Sequence, residues 1–146
     1  METKIFGLAA DHAGFEKKEL VAGYLLSLGY AIKDYGCYSE ESVDYPDFAH
    51  ALASGIEKGD CAFGFAFCGS ANGITITLNK HQGIRAALSW IPEIASLART
   101  HNDANVCSIP ARFLNNEEVI AIVDAFLEAE FEGGRHQNRV DKIACK

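Results

Sequence analysis

No stretch of this chain approaches the ~20 uninterrupted apolar residues of a membrane-crossing helix, and residues 1–4 lead straight into a strand-like segment. The expected setting is therefore the cytoplasm, with no membrane partner. Positive charge is also scarce: 13 Lys and Arg stand against 20 Asp and Glu, a formal net charge of −7. That balance opposes broad attraction to nucleic acid or to an anionic membrane, so any basic site must be local. The five cysteines, Cys37, Cys61, Cys68, Cys107 and Cys145, are odd in number and contain no Cys-x-x-Cys pair. This disfavours a disulfide framework and a clustered zinc site, and most of them read as small buried hydrophobes. There is no internal repeat and no low-complexity tract.

What is present is the material for one compact core: 146 residues, 49% hydrophobic, read as a single domain over 1–146. Short apolar runs alternate with amphipathic segments. Strands are expected at 5–9, 30–32, 62–68, 86–88 and 106–109. Between them, Val21, Tyr24, Leu25 and Leu28 repeat at helical spacing within 15–28, as do Phe48, Ala51, Leu52, Gly55 and Ile56. A polar loop at 36–47 holds Asp44, Tyr45 and Pro46. Residues 74–78 could pass for a strand, but a parallel crossover needs a helix there. Pro92 suits the first turn of another helix, and Val119, Ile122, Val123 and Phe126 mark a closing one. The expected fold is doubly wound α/β, Rossmann-like or flavodoxin-like, with about five parallel strands and helices on both faces. For the common order 2-1-3-4-5, the ends of strands 1 and 3 meet at the switch point, so Asp11, His12 and Cys68 should converge.

Cys68 ends the apolar run 62–67 and opens the turn Gly69, Ser70, Ala71, Asn72, Gly73. Backbone N–H groups of such a turn converge on one small space, where they bind anions and lower the pKa of a neighbouring thiol. Cys68 could thus be a base, a nucleophile or an inert strand-end thiol. Cys-x5-Arg phosphatase chemistry is disfavoured, because Ile74 stands where the arginine is needed. A dinucleotide site is discarded, since the first turn reads Ala9, Ala10, Asp11, His12, Ala13, Gly14 and not Gly-x-Gly-x-x-Gly. His101 shares a helical face with Ile94, Leu97 and Ala98, where a satisfied core histidine is the plain reading, yet Asn102, Asp103 and Asn105 follow it. Arg135 and Arg139 are four apart, so on a helix both guanidinium groups point the same way, an arrangement that suits phosphate. A solvated arginine pair is the alternative. Arg112, just after Pro110, is a third candidate.

Taken in order, residues 7–14, Asp44-Tyr45-Pro46, 68–73, Asn79-Lys80 with 83–86, 101–105 and 133–139 resemble the ribose-5-phosphate isomerase B family across essentially the whole chain. Its superfamily also includes subunits of galactose-6-phosphate isomerase. The resemblance implies a metal-independent, cofactor-free aldose–ketose isomerisation of ribose 5-phosphate and ribulose 5-phosphate through a cis-enediolate. It implies His101 as the acid that opens the sugar ring and Cys68 as the base that moves the proton between C2 and C1. Gly69, Ser70, Ala71, Asn72 and Gly73 would stabilise the enediolate, Asp11 and Asn102 would hold sugar hydroxyls or the carbonyl, and Arg135, Arg139, His12 and Arg112 would take the phosphate. It further implies a homodimer with its active sites at the interface. One branch of the family uses a Glu at the position of Ile74 as base; here Ile74 cannot take a proton and the thiol is present. Ala71 departs from the glycine usual at its position, which opens the alternatives of a six-carbon substrate, allose or galactose 6-phosphate, or of a sugar-phosphate sensor without turnover.

Overall fold

The computed structural model describes residues 4–145. In chain order the elements are β1 (Ile5–Ala10), α1 (Phe15–Ser27), β2 (Ala31–Asp34), α2 (Tyr45–Glu57), β3 (Phe63–Cys68), α3 (Asn72–Leu78), β4 (Ala86–Leu88), α4 (Pro92–Asn102), β5 (Val106–Pro110), α5 (Asn116–Glu128) and α6 (Arg135–Asp141), with a 3-10 turn at Ala111–Phe113. The strands form one 5-stranded sheet, parallel throughout, in the order β2-β1-β3-β5-β4. Among the described residues no helix is long and apolar enough to cross a membrane.

Side-chain size divides the two faces of the sheet. Leu8, Ala10, Phe65 and Phe67 point to the side covered by α1 and α5, where Val21, Leu25, Ile122 and Phe126 complete an apolar layer. Ala9, Ala66 and Cys68 point to the other side, against Leu52 and Ala53 of α2 and Ile74 and Leu78 of α3. Alternation of large and small residues along β1 and β3 follows from the two-residue period of a strand. It places the Cys68 side chain on the α2–α3 face. At the β1–α1 turn, a Cβ on Gly14 would collide with the Phe67 carbonyl, so only glycine allows that turn to lie against β3.

The strand order differs from 2-1-3-4-5 at one place: β5, not β4, lies beside β3. The physical reason is burial. All of β5 is buried, which demands cover on both faces, whereas the three residues of β4 are each only part-buried and occupy the edge. The neighbouring of β1 and β3 holds. The loop expected at 36–47 is shorter, because Tyr45 and Pro46 already form the first turn of α2 behind Asp44, as the preset φ of proline permits. A further helix, α6, follows the one expected to close the chain, and it carries both Arg135 and Arg139.

Candidate active site

Two groups of the sequence-selected residues come together in the fold, at opposite edges of the sheet. The first lies beyond the carboxyl ends of β1, β3 and β5. Ala10 pairs with Phe67 in the sheet register, and Asp11 N donates to Phe67 O at 3.2 Å, so Asp11 and Cys68 leave the sheet side by side. Asp11 is 7% exposed, and its Oδ1 accepts from Gly14 N at 3.0 Å. Cys68 is 4% exposed, with backbone N–H groups of Ile74, Ala71 and Gly73 directed at its sulfur. These N–H groups favour the thiolate, as the turn sequence suggests. Burial outweighs them, however, and with help from the nearby Asp11 charge it pushes the thiol above its ordinary value. The expected lowering is thus a real but minor influence, and Cys68 rests as a thiol at neutral pH.

The turn beside it is shaped by its neighbours. Ala71 has φ 66° and ψ −1°, the left-handed conformation that favours glycine, at the N-cap of α3. Asn72 N donates to Ser70 Oγ at 3.2 Å, and both side chains face solvent. Gly73 meets the Tyr45 ring, which any Cβ there would strike, so Tyr45 walls the turn on the α2 side. Because Cys68 pairs with Pro110, the exit of β5 delivers Arg112 to the same place. Arg112 N donates to Gly69 O at 3.1 Å, and its guanidinium lies along Gly69. His12 Nδ1 accepts from Val43 N at 3.2 Å, which leaves Nε2 to carry the proton of the neutral ring. Sequence reasoning gave Tyr45 no role, and its proximity to Gly73 depends on tertiary packing.

The second group is built on α4 and α6. His101 and Asn102 occupy the last turn of α4, and Arg135 and Arg139 are exposed on α6. His101 does not enter the apolar core. Its ring stacks on that of His136, with centroids 4.2 Å apart and planes 14° from parallel. Asp103 and Asn105 serve structure: Asp103 holds Arg85 at 3.2 Å and Arg99 at 3.0 Å, while Asn105 Oδ1 accepts from Arg85 N at 2.8 Å. Donor atoms of His101, Glu132 and His136 all lie within 4.8 Å of one another. Two nearly parallel imidazoles cannot aim their in-plane lone pairs at one point, so this cluster is a stack and not a coordination shell.

One chain does not join the two groups. α4 runs into β5 at Val106, which pairs with Gly64, whereas Cys68 pairs with Pro110. His101 and Cys68 are therefore separated by at least the four-residue rise of a strand, about 13 Å.

Against known proteins, residues 6–143 match the family model described as Ribose/Galactose Isomerase. Ribose-5-phosphate isomerase B of Escherichia coli is 40% identical over 142 residues, covering 97% of this chain and 95% of that protein. The crystal structure of a ribose 5-phosphate isomerase from Thermotoga maritima superposes with a TM-score of 0.95 at 45% identity, covering 98% of this chain and 99% of that one. Ribose-5-phosphate isomerase B from Mycoplasma genitalium, solved with bound ribulose-5-phosphate, superposes with a TM-score of 0.91 at 40% identity over 98% and 95% of the two chains. With nearly every described element inside these matches, the chain belongs to the ribose/galactose isomerase family.

Proposed function

We propose that the chain is a metal-independent aldose–ketose isomerase interconverting D-ribose 5-phosphate and D-ribulose 5-phosphate, with Cys68 as its base. The observation that carries this reading is the placement of Cys68 beside Asp11 at the β1–β3 switch, facing the N–H groups of Ala71, Gly73 and Ile74. Ile74 is fully buried and has no proton to exchange, which leaves the thiol as the titratable group in the turn.

The chemistry balances without a redox partner. After the ring opens and the Cys68 thiol has released its proton to solvent, the thiolate takes the C2 proton and the electron pair moves onto the C1 carbonyl oxygen, giving a cis-enediolate. The proton returns from sulfur to C1 and regenerates the thiolate, while the O2 proton passes to O1, so that O2 becomes the carbonyl oxygen and O1 a hydroxyl. N–H groups from Gly69 through Gly73 are suited to the negative oxygens that exist only in the intermediate. Asp11 and Asn102 are assigned to the hydroxyls and carbonyl, and His12, Arg112, Arg135 and Arg139 to the phosphate. His101 is assigned as the acid for the ring oxygen. Because about 13 Å of strand separates it from Cys68 within one chain, the assignment requires a second copy to supply His101, Asn102, Arg135 and Arg139, and the working form is a homodimer.

Ribulose 5-phosphate formation from ribose 5-phosphate by the purified protein, its persistence in a chelator and its loss in Cys68→Ala are the expected results. Full activity of Cys68→Ala would overturn the mechanism. Faster turnover of allose 6-phosphate or galactose 6-phosphate would move the substrate to six carbons. Thermal stabilisation by these sugars without turnover of any would identify a sensor.

A further inference from the structure

His136 lies between the two phosphate-binding candidates of α6, yet it faces away from them, 8% exposed, and its ring covers that of His101 at 4.2 Å. A stack within 14° of parallel fixes the plane of an imidazole that a terminal helical turn would otherwise leave free to rotate. Two imidazolium rings at that separation would repel one another. Burial, His101 and Arg135 each disfavour a charge on His136, as does Arg139, while Glu132, with Oε1 3.6 Å from His136 Nε2, acts the other way. His101 occupies the last turn of α4, where helix carbonyls favour a cation. Arg99 and Asp103, from the same end of α4, are paired with each other. Glu132 N donates to Thr100 O at 3.0 Å, clamping the segment before α6 onto α4 so that the two rings stay in register.

We infer that His136 is a positioning residue for His101: its stacked ring sets the plane of the ring-opening acid. The inference rests on the assignment of His101 made above. It also gives α6 a double task, to present Arg135 and Arg139 outward and to brace the acid inward.

The test separates ring opening from proton transfer. Ribulose 5-phosphate has no furanose form, because its C5 oxygen carries the phosphate. In deuterium oxide Cys68 can remove its C1 proton, lose it to solvent and return a deuteron without any ring acid. His136→Ala is expected to lower ribose 5-phosphate conversion by about ten-fold or more, while deuterium exchange into C1 of ribulose 5-phosphate continues near the parent rate. Continued exchange also shows that the chain is folded and that phosphate is still bound. His136→Phe keeps a flat, uncharged ring and should restore most of the conversion; His136→Lys places a charge against His101 and should not. Equal loss of exchange and conversion in His136→Ala, full conversion by that variant, or failure of phenylalanine to outperform lysine would each overturn the inference. His101→Ala is the control: if it converts ribose 5-phosphate at the parent rate, the acid assignment itself fails, whereas a defect confined to His101→Ala leaves that assignment standing and removes His136 alone.

Discussion

Replacing Ala71 with glycine isolates the cost of the turn that faces Cys68. Ala71 sits at φ 66° and is fully buried. A side chain in the left-handed region costs about 1–2 kcal/mol, which glycine relieves. Against this, removal of a buried methyl group loses about 0.8 kcal/mol, and the added freedom of the unfolded chain costs about 0.4–1 kcal/mol. The contributions nearly cancel, so Ala71→Gly should change stability by less than about 1 kcal/mol. Ala53, equally buried but inside α2, supplies the contrast. There the helix penalty of glycine, about 1 kcal/mol, adds to the lost methyl, for a total near 2 kcal/mol. Urea unfolding of both variants at one protein concentration measures the difference, because concentration affects the apparent stability of a dimer. Equal destabilisation by the two substitutions would refute the claim that Ala71 is strained. Catalysis should survive in Ala71→Gly, since the N–H groups keep their positions; a collapse of kcat would mean that the methyl group itself shapes the pocket.

Alkylation of Cys68 by iodoacetamide, followed by peptide mass mapping, should rise with pH to a midpoint above the ordinary thiol value, because burial raises it, and Asp11→Asn should move that midpoint down by removing a negative neighbour. A midpoint at or below the ordinary value in the parent protein would contradict the burial argument. Alkaline stability follows from the same physics. Cys107 is pushed up to about 12 by burial, so above pH 9 the unfolded chain loses a proton that the native chain keeps. Stability contributed by that thiol is intact below pH 9 and falls by about 1.4 kcal/mol per pH unit towards pH 12; a flat profile in denaturant melts across that range would refute it. Cys68→Ala and His101→Ala, each inactive alone, should regain about a quarter of the parent activity when refolded together, because random pairing gives half heterodimers with one intact site in two. No recovery would place both residues of each site in one chain.

The rhythm of strands and helices was legible because each element carries its own periodicity: Phe65 and Phe67 alternate with Ala66 and Cys68, and Phe48, Leu52 and Ile56 share the face of α2 that packs on the sheet. The order of the last two strands was not, since no local pattern states which strand a given strand will pair with. The full burial of Val106–Pro110 and the part burial of Ala86–Leu88 appear only in the folded structure. That exchange decides the weight of Arg112, which reaches Gly69 only because Pro110 pairs with Cys68. His101 was drawn onto an apolar face by the helical spacing of Ile94, Leu97 and Ala98, yet a last-turn position lies beyond the sheet, and its partner His136 comes from another helix.

The separation of His101 from Cys68 was, by contrast, implicit in chain direction. In a parallel sheet every helix ends at the edge where the next strand begins, and every strand ends at the opposite edge. A histidine closing α4 and a cysteine closing β3 must therefore lie a full strand apart, whatever the strand order. If both act on one small sugar, the distance has to be closed by a second molecule whose orientation reverses the two edges. A twofold axis would do this: it would set the α4–α6 end of one copy against the β1–β3 end of the other and complete two equivalent sites at once. In the proposed dimer the same operation would gather Arg135 and Arg139 from one chain with His12 and Arg112 from the other around one phosphate, a local concentration of positive groups on a chain of formal charge −7.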